Sequence, residues 1–372
     1  MGRFCKLPWL SVTVSAEGNY YPCCTIRNFE KVNNWEDYQN SDQLRIIKDD
    51  FLEGREPIEC SDCWVHEAAG IESLRQMAEG ASKDIEVDFD NVTDPVQIEL
   101  AITQVCNLAC RICGPDSSSR WVKDNNKLFN IGMADEYTAK AKRHLRDPAY
   151  VNWVLSHQSN LEYLQFIGGE PFADQLKEQT DLLNKLDHPE SIQLSYITNG
   201  TVLPSAEMIE AWRKFKKVII SVSVDGVHKV FEYGRYPAKF DVVEKNLYYY
   251  MTLAHAAENV VFKINNTVSA INIFNVPEFD EWYGGGCEFF DITYSLLSGP
   301  ACYNIKNLNP EVKAYLSCKL EGFPAILTAL NKEPDTLYYY NSFVRTTKAL
   351  DKIRKQTFLD IYPPEYTRLF KF

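Results

Sequence analysis

Apolar positions along this chain follow two rhythms. From residue 96 onward, short apolar runs alternate with stretches of helical spacing. The runs predict strands at 97–104, 162–167, 192–197, 218–224, 259–268 and 288–295. The helical spacing predicts helices near 135–157, 173–186, 205–215, 238–257 and 275–283. Six such units imply an α/β architecture, either a barrel or a doubly wound sheet. Ahead of residue 80 the rhythm changes. Two β-like runs, 10–14 and 20–24, flank Ser15-Ala16-Glu17-Gly18-Asn19 and predict a hairpin. Leu44, Ile47, Phe51 and Leu52 mark a helix over 42–53, ended by Gly54, and 64–79 reads as helical again. Residues 81–95 are polar and acidic, which suits a linker, and helical spacing returns at 309–331 and 335–357. The expected division is a small module over 1–80, a linker over 81–95, an α/β unit over 96–300 and a helical C-terminal extension over 301–372.

Composition narrows this picture. A chain of 372 residues exceeds one ordinary domain and can bury a large core. No uninterrupted apolar run reaches the length of a membrane span, and no signal-peptide core follows the N-terminus, so the reading is cytoplasmic with no membrane partner. Lys plus Arg number 39 against 51 Asp plus Glu, a net −12, which argues against nucleic acid as a general partner. Tyr248-Tyr249-Tyr250 and Tyr338-Tyr339-Tyr340 read as packing residues first. Cysteine changes the picture most. Of eleven, five fall within the first 63 residues and three within 106–113. An odd, clustered set in a reducing compartment points to metal before disulfide.

Cys106, Cys110 and Cys113 form CxxxCxxC directly after the first predicted strand of the α/β unit. Three thiolates on one loop can wrap one iron–sulfur cluster and leave one iron without a protein ligand. Zinc would need a fourth ligand at zinc spacing, and none follows Cys113 closely. This motif resembles the cluster loop of radical S-adenosylmethionine enzymes. In that family the open iron binds the cofactor, and reductive cleavage yields a 5′-deoxyadenosyl radical that takes a substrate hydrogen. Further motifs follow in the family's order. Gly168-Gly169-Glu170-Pro171 follows the second strand, where glycines admit a close ligand and a carboxylate suits an ammonium group. Asn199, in Thr198-Asn199-Gly200, ends the third strand, and Ser223 and Asp225 end the fourth. The resemblance implies cofactor contacts at Gly168, Gly169, Glu170, Asn199, Ser223 and Asp225, with Arg235 for the cofactor carboxylate. Ile112 departs from the aromatic that many relatives carry before the third cysteine. The implied fold is a partial (β/α)6 TIM-like barrel.

Cys5, Cys23 or Cys24, Cys60 and Cys63 form a second set. Strand alternation would send Cys23 and Cys24 to opposite faces, so one of the two is expected to ligate. Spacing alone favours zinc. The runs around these cysteines resemble the twitch (SPASM-like) module that holds an auxiliary [4Fe–4S] cluster, here ahead of the barrel, which implies a small N-terminal α+β iron–sulfur module. His66 reads as a neighbour of that site rather than a ligand. Cys287, Cys302 and Cys318 match no ligand pattern, and buried structural thiols are their default. Cys302, after the sixth strand, is a candidate hydrogen-atom donor. The resemblance implies a peptide or protein substrate, with a small molecule or nucleotide-sugar as the alternative, and a flavodoxin or ferredoxin as electron donor. The non-enzyme alternative is a zinc-binding interaction protein.

Overall fold

The computed structural model describes residues 3–89, 94–130, 143–284 and 291–371. Eight strands form one sheet: β1 (Ser11–Val14), β2 (Tyr20–Tyr21), β3 (Gln97–Ala101), β4 (Tyr163–Ile167), β5 (Gln193–Thr198), β6 (Lys217–Ser223), β7 (Val260–Val268) and β8 (Asp291–Leu296). Their order is β2-β1-β3-β4-β5-β6-β7-β8. From β3 to β8 every pair is parallel and the order never reverses. Right-handed crossovers in such an order put all the helices on one face. That is the winding of a barrel wall, since a doubly wound sheet requires a reversal. β2 and β8 are the two ends of the order, so the wall is open.

Strand alternation sorts the side chains. Leu100, Phe166, Tyr196, Ile220 and Ile264 are fully buried in the main core. Each such side chain contributes about 1.5–3 kcal/mol on burial. The residues between them, Glu99, Gln165 and Ser195, are register neighbours and give the other face a polar row.

The hairpin forms, but it is not free-standing. β1 pairs in parallel with β3, from Ser11 opposite Gln97 to Val14 opposite Leu100, and Val96 N–H donates to Leu10 C=O at 2.8 Å. Without β1, β3 would be an edge strand with unpaired backbone groups. β2 stops at Tyr21, earlier than the apolar run predicts, because Pro22 brings no N–H to the ladder. Cys23 and Cys24 therefore lie in a turn, which corrects the expectation that strand alternation separates them. The Lys6 ammonium donates to the carbonyls of Ser82 (2.7 Å) and Ile85 (2.8 Å), tying the start of the expected linker to the N-terminal segment.

Other differences are local. The helix expected over 135–157 is described at Pro148–Ser156, where Pro148 opens it and the Asp147 carboxylate caps Ala149 N–H. Residues 143–147 form a bridge at Arg143 and a 3-10 turn at His144–Arg146 instead of helix, while 135–142, Cys287 and the first residues of the sixth expected strand lie outside the described residues. The C-terminal helices Pro310–Lys319, Pro324–Leu330 and Leu337–Arg354 build a second core. There Leu316, Leu330 and Phe343 pack with Val268 and Leu296 from the ends of β7 and β8.

Candidate active site

Cys106, Cys110 and Cys113 lie on the loop between β3 and the helix Trp121–Phe129. The loop is held from several sides. Ala109 and Arg111 N–H donate to the Tyr236 and Gly234 carbonyls, each at 2.7 Å. The Trp121 indole N–H donates to Cys110 C=O at 2.7 Å, and the Ser118 hydroxyl to Leu108 C=O at 2.5 Å. The C-terminal helix Leu337–Arg354 grips the same loop. Arg111 pairs with Asp351 at 2.5 Å and lies over the Tyr233 ring. Arg354 pairs with Asp124 at 2.8 Å between the Trp121 and Tyr236 rings. A hydrogen bond from Cys113 holds the Cys110 thiol below the ordinary thiol range; burial opposes this and Arg235 adds to it. Burial pushes the Cys106 thiol up to about 12, with Cys110 as the next cause.

Gly168 and Gly169 sit against that loop. A Cβ on Gly168 would stand 2.5 Å from Thr103 C=O, and one on Gly169 2.3 Å from Val105 C=O. Gly169 and Glu170 N–H donate to those same carbonyls at 2.7 and 2.9 Å. The glycines thus serve the packing of two loops as well as access for a ligand. Glu170 is fully buried, and its carboxylate accepts from the Thr198 hydroxyl (2.7 Å), Asn199 N–H (2.6 Å) and Phe172 N–H (3.1 Å). Burial still raises its pKa to about 7. The Asn199 amide donates to Asn107 Oδ1 at 2.9 Å and approaches Cys106 Sγ at 3.9 Å.

Asp225 accepts from Thr267 N–H at 2.9 Å and pairs with Arg235 Nη2 at 2.8 Å. Burial opposes charge on Arg235, yet Asp225 and the Cys110 and Cys113 thiols outweigh it and raise its pKa. Arg235 Nε is buried and has no hydrogen-bond partner. A buried, unpartnered guanidinium donor beside the cluster loop fits a cofactor carboxylate. Ser223 stands at the end of β6, opposite Asn265 of β7. Gly168, Gly169, Asn199 and Arg235 thus lie against the cysteine loop, and Glu170 and Asp225 are already bonded within the chain. Cys302 lies elsewhere, half-buried against the second core beside Tyr303.

The N-terminal thiols also gather. Cys5 and Cys63 are buried, Cys23 and Cys60 half-buried. Burial first, and mutual repulsion second, push Cys5 and Cys60 far above the thiol range. Burial raises Cys23 to about 11. Thr25 Oγ1 lies 3.6 Å from Cys23 Sγ and 4.0 Å from Cys63 Sγ. Four such thiols cannot ionise together without a cation. Among the described residues no three His, Cys, Asp or Glu side chains converge on a point for a single ion. Burial first and the neighbouring Glu99 carboxyl second raise the exposed Cys24 thiol well above its ordinary range. Burial raises Glu99 to about 7, and Thr13 donates to it at 3.2 Å. His66 uses both ring nitrogens, Nδ1 at Asp62 C=O (2.7 Å) and Nε2 at Leu296 N–H (3.3 Å).

A cavity of about 690 Å³ joins these regions. Gly168, Gly169, Ile167 and Ile197 line it from the barrel, Asp116 and Ser117 from beyond the cluster loop, and Thr13, Tyr21, Cys23 and Cys24 from the hairpin and the turn after it. Sequence reasoning missed Asn107, Arg354 and Glu99. Only Glu99 carried a local signal, as the one carboxylate inside the strand Gln97–Ala101.

Residues 100–253 match the family model described as the Radical SAM superfamily. The match spans the cysteine loop, the paired glycines, Asp225 and Arg235. A curated relative, the GTP 3′,8-cyclase of Aliarcobacter butzleri (strain RM4018), is 24% identical over 238 residues, which is 62% of this chain and 65% of the relative. The structure titled native anSMEcpe with bound AdoMet is 18% identical, with a TM-score of 0.39 over 69% of this chain and 61% of that one. Streptococcus suis SuiB bound to precursor peptide SuiA is 14% identical, with a TM-score of 0.32 over 89% of this chain and 55% of that one. The chain thus spans less than two thirds of the length of each of these proteins. Among the described residues no helix is long and apolar enough to cross a membrane.

Proposed function

We propose that this protein is a radical S-adenosylmethionine enzyme that modifies a peptide or protein. The observation that carries the reading is the cysteine loop pinned against Gly168-Gly169, with the unpartnered Arg235 Nε beside it. Cys106, Cys110 and Cys113 would hold a [4Fe–4S] cluster, and Gly168, Gly169, Glu170, Asn199, Ser223, Asp225 and Arg235 would form or support the S-adenosylmethionine site. When bound, that pair supplies a 5′-deoxyadenosyl radical to abstract a substrate hydrogen, using an electron from a flavodoxin or ferredoxin. The chain's own residues do the rest. Arg235 is held charged for a carboxylate, Asn199 and Asn107 brace the loop, and the open polar face receives substrate.

Cys5, Cys23, Cys60 and Cys63 would hold a second [4Fe–4S] cluster, in a module over 1–80 joined by 81–95 to a barrel over 96–300, with 301–372 as an extension. A peptide fits the cavity better than a polyphosphate does. Arg27 is the arginine lining it, and it is already paired with Asp62 at 2.5 Å. On the same face Lys263 pairs with Asp291. The cyclase relative supports a nucleotide as the second reading. The working location is the cytoplasm.

Anaerobic reconstitution tests both centres. About eight irons per chain fit two cubanes and about four fit one. Formation of 5′-deoxyadenosine with reductant is the expected result. Zinc in place of iron at residues 106–113, or no 5′-deoxyadenosine, overturns the reading. Tritium or deuterium transfer into 5′-deoxyadenosine from candidate peptides, against GTP, separates the two substrate classes.

A further inference from the structure

Two helices beside the cluster loop carry the same outward pattern. Arg120, Lys123 and Lys127 follow i, i+3, i+7 spacing along Trp121–Phe129, and Arg345, Lys348 and Lys352 repeat it along Leu337–Arg354. All six are exposed, and among the described residues none has an ion-pair partner. Each helix holds a single carboxylate, and both are turned inward: Asp124 pairs with Arg354, and Asp351 with Arg111. The outer faces are therefore left with positive charge alone, in a chain whose net charge is −12. Arg120 and Lys123 stand at the cap and in the first turn of their helix. That is the positive end of its dipole, where cations are disfavoured, so helix stability does not account for them. The two helices meet at the loop itself. Leu350 packs in one small core with Trp121 and Ala109, and Cys113 lies against it. The side chains behind the cationic faces are thus the ones that touch Cys113. None of the six basic residues lines the cavity between barrel and hairpin.

We propose that these two helix faces are the docking surface for an acidic one-electron carrier protein, which passes its electron across them to the site of Cys106, Cys110 and Cys113. The inference rests on the radical reading above and deepens it by placing the reductant. Three arguments choose this occupant. Radical chemistry there needs one electron from outside. Electron transfer weakens steeply with distance, so the carrier must dock where the cover over the cysteines is thin. Substrate has its own cavity, whose lining arginine is already paired with Asp62. The sign of the charge then selects the partner, since a cationic face steers carboxylates in and repels other cations. Such an electrostatic contact is small and short-lived, which suits a protein that must leave after giving up one electron. The carrier is oxidised by one electron and the bound cluster reduced by one. No bond forms or breaks at the surface.

Two measurements test this. The first compares reductants on the iron-loaded protein, reading 5′-deoxyadenosine. A reduced flavodoxin of net negative charge is set against two small reductants of opposite charge, dithionite and reduced methyl viologen. The combined variant Lys123→Glu, Lys127→Glu, Lys348→Glu and Lys352→Glu should cut the flavodoxin-driven rate about 10-fold or more at low salt and change both small-reductant rates less than about two-fold. Added salt should slow the flavodoxin reaction of the wild type and not that of the variant. The second measurement joins the wild-type protein to oxidised flavodoxin with a carbodiimide. Peptide mass spectrometry should find the carrier's carboxylates on Lys123, Lys127, Lys348 or Lys352. An unchanged flavodoxin-driven rate in the variant, or cross-links confined to other lysines, overturns the docking surface while the radical reading stands. An equal loss with all three reductants overturns it too, because the loop itself would then be disturbed. RNA held by the wild type and lost by the variant, with the flavodoxin rate unchanged, would assign the faces to nucleic acid instead. If the wild type forms no 5′-deoxyadenosine with any reductant, the radical reading fails and takes the docking surface with it.

Discussion

The two groups of cysteines are built in opposite ways. Cys106, Cys110 and Cys113 sit within eight residues, on one loop at the end of one strand. Cys5, Cys23, Cys60 and Cys63 come from three separate segments of the N-terminal part. Their electrostatics differ as well. The central loop is flanked by Arg235 and Arg354, and both favour a thiolate at Cys110. In the N-terminal group, burial and mutual repulsion hold the thiols up. A contiguous loop can be recognised from spacing, and one of its thiols, Cys110, is held down while burial pushes Cys106 up. A dispersed set depends on the fold to exist.

The largest expected effect breaks this comparison outright. Cys110→Ala should abolish 5′-deoxyadenosine formation and remove about four irons, leaving the N-terminal cluster in place. Loss of all iron would mean that the two centres assemble together.

Next comes the acid between the two regions. Glu99 is neutral in the folded protein up to about pH 7 and ionises near 4.5 when unfolded. Folded protein therefore binds more protons between these values, and stability falls as pH rises through that window. Glu99→Gln should relieve a burden of roughly 3 kcal/mol at pH 8 and almost none at pH 4. Thermal melts of both proteins from pH 5 to 8 check this, and a constant gap refutes it. Glu170 titrates similarly but is present in both, so the difference reports Glu99 alone.

Gly169→Ala is a more local break. Its Cβ would stand 2.3 Å from Val105 C=O, so the loops must part. The expected cost is about 1–3 kcal/mol, with iron lost from the central site first. The smallest effect is at the surface. Arg27 joins Asp62 and Ser298 across the cavity mouth, and its side chain is 47% exposed. Arg27→Ala should cost less than about 1 kcal/mol. A larger loss in urea unfolding would show that the N-terminal module depends on this contact more than on the β1–β3 ladder.

Much of the barrel was legible. The strand positions from 97 to 268 were readable because fully buried strands carry continuous apolar runs that periodicity detects. The cysteine loop and paired glycines were readable because their chemistry is compressed into short spacings. The hairpin was legible too, but its place in the sheet was not. Parallel pairing of β1 with β3 joins residues some 86 apart, as Thr13 and Glu99 show, and no local pattern encodes it. The same holds for Arg111 with Asp351 and Arg354 with Asp124, which bring the last long helix onto the cluster loop.

The chain by itself determined the alternation of strands and helices, the loop of three thiols and the order of the motifs around it. These follow from local periodicity and from residue types that short-range geometry demands. Tertiary structure decided where the pair at 23 and 24 sits: Thr25 Oγ1 lies 3.6 Å from Cys23 Sγ and 4.0 Å from Cys63 Sγ, while both cysteines of the pair line the cavity. Pro22 ends the strand before alternation can separate them, so the turn's path and the docking of β1 on β3 place the two thiols.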